Sequence, residues 1–199
     1  MTVNAGVVAV QGDVSEHAEA IRSAANSHGM DADVTEIRRS GIVPDCDILL
    51  MPGGESTSIS RLLAREGIDA EIQDHVDAGK PMLATCAGLI VASMDASDDR
   101  VETLNVIDAT VDRNAFGRQK DSFEAPLDVK GLDEPFPAVF IRAPLIADVG
   151  GDAEVLATWD GNPVAVKDGP VVGTSFHPEL TSDSRIHDLA FFGTQEATF

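Results

Sequence analysis

Cysteine is scarce in this chain of 199 residues: Cys46 and Cys86 are the only two. Forty positions apart, they supply neither a disulfide framework nor a zinc-ligand spacing, so a reducing, cytoplasmic setting without a structural metal is expected. No run of about 18 apolar residues occurs, and no membrane-spanning helix is expected. The opening MTVNAGVVAVQGD has no basic stretch and meets an acid by Asp13, which argues against a cleaved secretory signal. Basic residues are also few, with 14 Lys plus Arg against 34 Asp plus Glu and a formal net charge of −20. So acidic a chain repels nucleic acid and anionic membranes, and neither is expected as a partner. Repeats, low-complexity stretches and linkers are missing. At about 100–200 residues per domain, residues 1–199 are expected to form one domain.

Hydrophobic residues make up 43% of the chain, enough for a sizeable core and incompatible with a wholly disordered one. The acids are spread along the chain instead of forming a tail. Their mutual repulsion opposes compaction at low salt, whereas a Debye length of about 3 Å at 1 M screens it. The composition therefore points to a salt-adapted, halophilic protein, with a merely acidic protein as the alternative that composition alone leaves open.

The first half alternates strand and helix patterns. Strands are expected at residues 3–10, 32–37, 46–51 and 81–84. Helices are expected at 14–28, 56–64, 68–78 and 88–94. In the first helix Ala18, Ile21, Ala24 and Ala25 form the apolar face. This alternation predicts an α/β fold with a mostly parallel central sheet flanked by helices. The second half carries short strand-like runs at 102–111, 122–129, 138–141, 154–159 and 163–167. They are broken by Gly, Pro, Asn and Asp, which predicts hairpins or mixed and antiparallel strands. A core-type strand at 171–176 and a helix at 183–192 close the chain.

Cys86 sits in MLATCAGL between a strand and a helix, the layout of a nucleophile elbow. A sharp turn there exposes the side chain, and small neighbours leave it room. The following helix N-terminus favours thiolate. Cys46, inside CDILLM, is expected to be an inert buried thiol. A cysteine nucleophile needs a base and a group that orients the base. In SFHPE, proline biases His177 to extended backbone, and residues two apart in an extended segment face one side. His177 and Glu179 are therefore expected to pair. The remaining histidines, His17, His28, His75 and His187, are expected to be structural, with His28 and His75 on solvated helix positions. PGGEST at 52–57 joins a strand end to a helix start, where glycine amides can stabilise an oxyanion. Ser56 is there a candidate helix cap. The P-loop lysine and the GxGxxG spacing are both absent.

Together these segments resemble the class I (triad) glutamine amidotransferases, and within them the glutaminase subunits of pyridoxal 5′-phosphate synthases. The resemblance is carried by Val10-Gln11-Gly12, PGGEST at 52–57, GKPMLATCAGL at 79–89, RNAFGRQKDSFEA at 113–125, GLDEPFPAVFIRAP at 131–144 and SFHPELT at 175–181. The RNAFGRQ and FIRAP segments are those that single out the synthase branch. The resemblance implies a flavodoxin-like three-layer fold and hydrolysis of L-glutamine to L-glutamate and ammonia through a cysteine thioester. Cys86 is the implied nucleophile, His177 the proton shuttle and Glu179 its orienting carboxylate. The implied oxyanion hole is formed by the N–H groups of Gly54 and Ala87. The implied glutamine contacts are Gly54, Glu55, Ser56, Arg113, Ile141 and Arg142. An arginine suits the substrate α-carboxylate by bidentate pairing, although in so acidic a chain Arg113 and Arg142 are equally candidates for surface ion pairs. No cofactor is implied, and the implied partner is a separate synthase subunit that receives the ammonia and activates the glutaminase. Two departures stand out: Ala84 replaces a glycine that many class I members carry, and Leu145 replaces a histidine. Rival assignments are a glutaminase serving another acceptor, a cysteine hydrolase on the same fold, and a non-enzymatic scaffold. The RNAFGRQ and FIRAP segments oppose the first. The small-molecule character of PGGES with paired arginines opposes the second, and the intact Cys-His-Glu set opposes the third.

Overall fold

The computed structural model describes residues 1–12, 14–113 and 122–193. Residues 114–121 of the RNAFGRQKDSFEA segment, and Asp13, lie outside these. The first half runs β1 (Thr2–Val8), α1 (Val14–Ser27), β2 (Asp31–Ile37), β3 (Ile48–Met51), α2 (Ser56–Glu66), α3 (Ile68–Asp77), β4 (Met82–Thr85) and α4 (Ala87–Ala92). There follow β5 (Ser93–Asp95), β6 (Ile107–Asp112), β7 (Ser122–Leu127), β8 (Phe136–Ile141), β9 (Leu145–Val149), β10 (Glu154–Trp159), β11 (Asn162–Asp168), β12 (Val171–Thr174) and α5 (Arg185–Phe191).

A seven-stranded sheet in the order β10-β11-β12-β4-β3-β1-β2 forms the middle layer. Its five strands from β12 to β2 are parallel, and β10 and β11 add an antiparallel edge. Strand periodicity sends alternate residues to opposite faces. Leu49, Met51 and Met82 join Ile59, Leu63, Ile68 and Ile72 of α2 and α3 on one face. Ile48, Leu50 and Leu83 join Ile21 of α1 and Ile186 of α5 on the other, with Phe136 and Phe140 of the β7–β8 hairpin. Both faces are thus covered, which is why β3 and β4 read as unbroken apolar runs. Truncating a fully buried side chain such as Leu49 to Ala is expected to cost about 2–5 kcal/mol. The exposed edge strand β2 carries the exposed acids Asp31, Asp33 and Glu36. Charges of this kind discourage edge-to-edge pairing.

Several expected boundaries shift. The run at 46–51 begins as a strand only at Ile48, because a 3-10 turn over Val43–Asp45 ends at Cys46. The expected helix 88–94 ends at Ala92, and Ser93–Asp95 pairs with β6 instead. The 102–111 run becomes a strand only from Ile107, and β9 was not foreseen. The buried stripe of α1 is His17, Ile21, Ala24 and Ala25, so His17 takes the place expected for Ala18. His28 is exposed, but His75 is buried at 4% exposure with Nε2 3.2 Å from the Pro81 carbonyl oxygen. The solvated position expected for His75 is therefore wrong: α3 turns this ring into the protein, and burial lowers its pKa.

Candidate active site

Four parallel strands deliver their carboxyl ends to one place, as open α/β sheets do where they bind ligands. Gln11 and Gly12 follow β1, the PGGES loop follows β3, Cys86 follows β4, and His177 and Glu179 follow β12. Gly53 packs into this convergence: a Cβ built there would lie 3.1 Å from His177 Cε1 and 3.3 Å from Cys86 Cβ.

Cys86 has φ 51° and ψ −113°, outside the regions open to most side chains, at the junction of β4 with α4. Strain of about 1–3 kcal/mol at such a residue persists only where the surroundings enforce it, and it clusters at functional sites. Here the enforcement is visible. The Cys86 amide donates to the Thr174 carbonyl at 2.8 Å, tying the turn to β12. Gly88 lets α4 lie against the end of β3, since a Cβ there would fall 2.2 Å from the Met51 carbonyl oxygen. The thiol is 9% exposed, and Sγ lies 3.9 Å from the Ile141 carbonyl oxygen at the end of β8.

His177 Nδ1 lies 2.6 Å from Glu179 Oε1, with both side chains almost fully buried. The His177 amide donates to the Val139 carbonyl at 2.8 Å, fixing the extended entry into the 3-10 turn over Pro178–Leu180. Burial alone lowers the pKa of this imidazole. The neighbouring Cys86 and the hydrogen-bonded Glu179, with their charges, outweigh burial and push it up to about 10. Burial likewise opposes ionisation of Glu179, but His17 and His177 hold its carboxyl below the usual range. The arrangement keeps a protonated imidazole between a sulfur and a carboxylate, the setting a cysteine nucleophile needs.

The other expected contacts are distributed unevenly. Gly54 has φ 140°, which favours glycine, and the next amide, of Glu55, donates to Gln11 Oε1 at 2.5 Å. Ala87 opens α4 and its nitrogen is the next atom beyond Cys86 Cβ from Gly53. Ser56 is not the cap of α2. Glu55 is, accepting from the Thr57 and Ser58 amides at 3.2 and 2.8 Å. The Thr57 and Ser58 hydroxyls also donate to it, and these bonds, led by Thr57, pull its pKa down to about 2 against the effect of burial. Arg113 pairs with both Asp98 at 3.2 Å and Glu55 at 3.4 Å, so two expected contacts meet in one ion-paired cluster. Ile141 ends β8, and Arg142 follows it, exposed, with φ 42°. Cys46 is 3% exposed, its Sγ facing Gly6 of β1, and burial raises its pKa to about 11.

From its sequence His17 is expected to be structural, with no contact to the site. Its ring is fully buried, and Nε2 lies 3.3 Å from Glu179 Oε1 and 3.2 Å from Thr85 Oγ1. The missed signal was helical spacing: His17 is four residues before Ile21 and so shares its inward face. No helix among the described residues is long and apolar enough to cross a membrane.

Comparison with known proteins places this geometry in a family. A protein named pyridoxal 5′-phosphate synthase subunit PdxT from Halobacterium salinarum is 77% identical over 192 residues, covering 96% of this chain and 95% of its own. A protein of the same name from Haloarcula marismortui is 73% identical over 197 residues, covering 99% and 100%. Such relatives from halophilic archaea agree with the acidic composition. A crystal structure titled as a glutamine amidotransferase superposes with a TM-score of 0.85 at 41% identity, covering 95% of this chain and 97% of that one. The model of the SNO glutamine amidotransferase family matches residues 7–195, and the chain belongs to that family.

Proposed function

We propose that this chain is the glutaminase of a pyridoxal 5′-phosphate synthase, hydrolysing L-glutamine to L-glutamate and ammonia for a separate synthase subunit. The observation that carries this is the strained Cys86 converging at Gly53 with His177, whose ring is hydrogen-bonded to the buried Glu179. Cys86 Sγ attacks the side-chain amide carbon, and the carbonyl oxygen gathers negative charge. The N–H groups of Gly54 and Ala87 stabilise that oxyanion, an effect worth about 10²–10³ in rate per donor. His177 gives its proton to the departing nitrogen, and ammonia leaves behind a glutamyl thioester. Water then attacks the thioester, with His177 taking its proton, and glutamate and the thiolate are released. Glu179 keeps the imidazole in orientation and balances its charge.

Glutamine is held by Gly54, Glu55, Ser56, Arg113, Ile141 and Arg142. Arg113 grips the α-carboxylate, fixed beforehand by Asp98 and Glu55. The chain acts as one domain in the cytoplasm and uses no cofactor of its own. The synthase subunit docks on the face carrying Gln11, Gly12 and the PGGES loop. The Gly53–Gly54 peptide is the most conformable part of that loop, and the partner completes the oxyanion hole by setting it. The test is glutamate release from glutamine in molar KCl, with and without the synthase subunit. The proposal expects a larger kcat with the partner and a smaller change in KM. No glutamate release in either setting contradicts it.

A further inference from the structure

Glu179 is held by two imidazoles, both on the same oxygen. Oε1 lies 2.6 Å from His177 Nδ1 and 3.3 Å from His17 Nε2, whereas Oε2 has no hydrogen-bond partner among the described residues. A carboxylate only accepts, so the His17 contact is attractive only with a proton on Nε2. A bare Nε2 would set its lone pair against Oε1 and leave an N–H on Nδ1 buried. Nδ1 has no partner among the described residues, and a bare acceptor there is the lesser cost. The same Nε2 lies 3.2 Å from Thr85 Oγ1, one residue before Cys86. His17 thus ties three elements together: α1, the end of β4 that carries the thiol, and the turn that carries Glu179. A terminal carboxylate torsion is soft, and without His17 the only group restraining it among the described residues is the imidazole it is meant to orient.

We propose that His17 is a positioning residue of the glutaminase reaction: its Nε2–H holds the Glu179 carboxylate in place against His177. This rests on the function proposed above. His17 touches neither substrate nor sulfur and acts only through Glu179. Among charged or titratable groups, Glu16 on its own helix, His177 and Glu179 after β12, and His187 of α5 surround it.

The test compares His17→Leu with His17→Gln in the full chain assembled with the synthase subunit, in molar KCl. Leu fills the space without a donor. Gln places an amide N–H near the position of Nε2. A charge-assisted hydrogen bond of this kind predicts a fall in kcat of about 10–100-fold for His17→Leu, with KM within about twofold. The acid limb of the kcat profile should move to higher pH, because Glu179 without its second donor takes up a proton sooner. His17→Gln should recover most of kcat and the original limb. A His17→Leu enzyme with wild-type kcat and pH profile overturns the proposal, as does His17→Gln being as impaired as His17→Leu with both folded. If His17→Leu does not fold, nitrogen NMR of histidine-labelled wild type decides: Nε2–H with bare Nδ1 supports the proposal, and the opposite tautomer refutes it. Wild-type inactivity would sink the glutaminase assignment instead, so the two failures are distinguishable.

Discussion

Replacing His187 by Leu should stabilise the protein and flatten its loss of stability in mild acid. His187 lies on α5 with no solvent exposure, and neither ring nitrogen has a partner among the described residues. Burial, aided by the nearby His17 and only partly offset by Glu179, pushes its pKa down from 6.5 to about 3. Above pH 6.5 neither the folded nor the unfolded chain protonates this ring, and its full contribution is present. Below pH 6.5 the unfolded chain binds a proton that the folded one refuses, so stability falls until the pH nears 3. At 1.36 kcal/mol per unit, the loss from pH 7 to pH 5 is about 2 kcal/mol. Leu removes that loss and the buried unpaired nitrogens, which themselves cost about 1–3 kcal/mol. Carboxylates with lowered pKa, such as Glu55 and Asp183, weaken both proteins alike at acid pH, so the difference between the two curves isolates His187. The assay is denaturant unfolding in molar KCl at pH 7, 6 and 5. Parallel curves for the two proteins, or a variant less stable at every pH, would refute the reasoning.

Gly88→Ala would place a Cβ 2.2 Å from the Met51 and 2.9 Å from the Pro52 carbonyl oxygens, both rigid backbone atoms. We expect a loss of about 1–3 kcal/mol in unfolding free energy and a fall in kcat as α4 carries Ala87 away, whereas wild-type values would show that α4 can yield freely. The net charge of −20 predicts a Tm that climbs steeply from low salt to molar KCl, beyond the shift of a near-neutral relative. A flat or falling melting curve contradicts salt adaptation.

Strand and helix order was legible because β3 and β4 are apolar on both faces and the helices keep a 3.6-residue period. The pairing of His177 with Glu179 was legible from proline after His177 and a spacing of two. Less local features were hidden. β9 has no apolar alternation of its own, with a burial pattern running from half-buried Leu145 through buried Ile146 to two exposed residues, and it exists because β6 pairs with it. His75 and His17 look like any polar helix residue until the faces of α1 and α3 are fixed by packing. Arg113 and Glu55 are 58 positions apart, and only the fold joins them. The cap of α2 passed from Ser56 to Glu55 because a longer carboxylate there satisfies two amides and two hydroxyls at once.

The central claim is that Cys86, alone of the two cysteines, carries glutamine hydrolysis, and one measurement tests it most directly. Wild type, Cys86→Ala and Cys46→Ala, each with the synthase subunit in molar KCl, are treated with a glutamine-analogue electrophile, and the labelled site and glutamate release are read together. Cys86 stands strained where Gly53 also meets His177, whereas burial raises the Cys46 pKa to about 11. The account predicts label on Cys86 only, no glutamate release from Cys86→Ala, and nearly full activity in Cys46→Ala. Label on Cys46 with loss of activity, or glutamate release that survives Cys86→Ala, would contradict it.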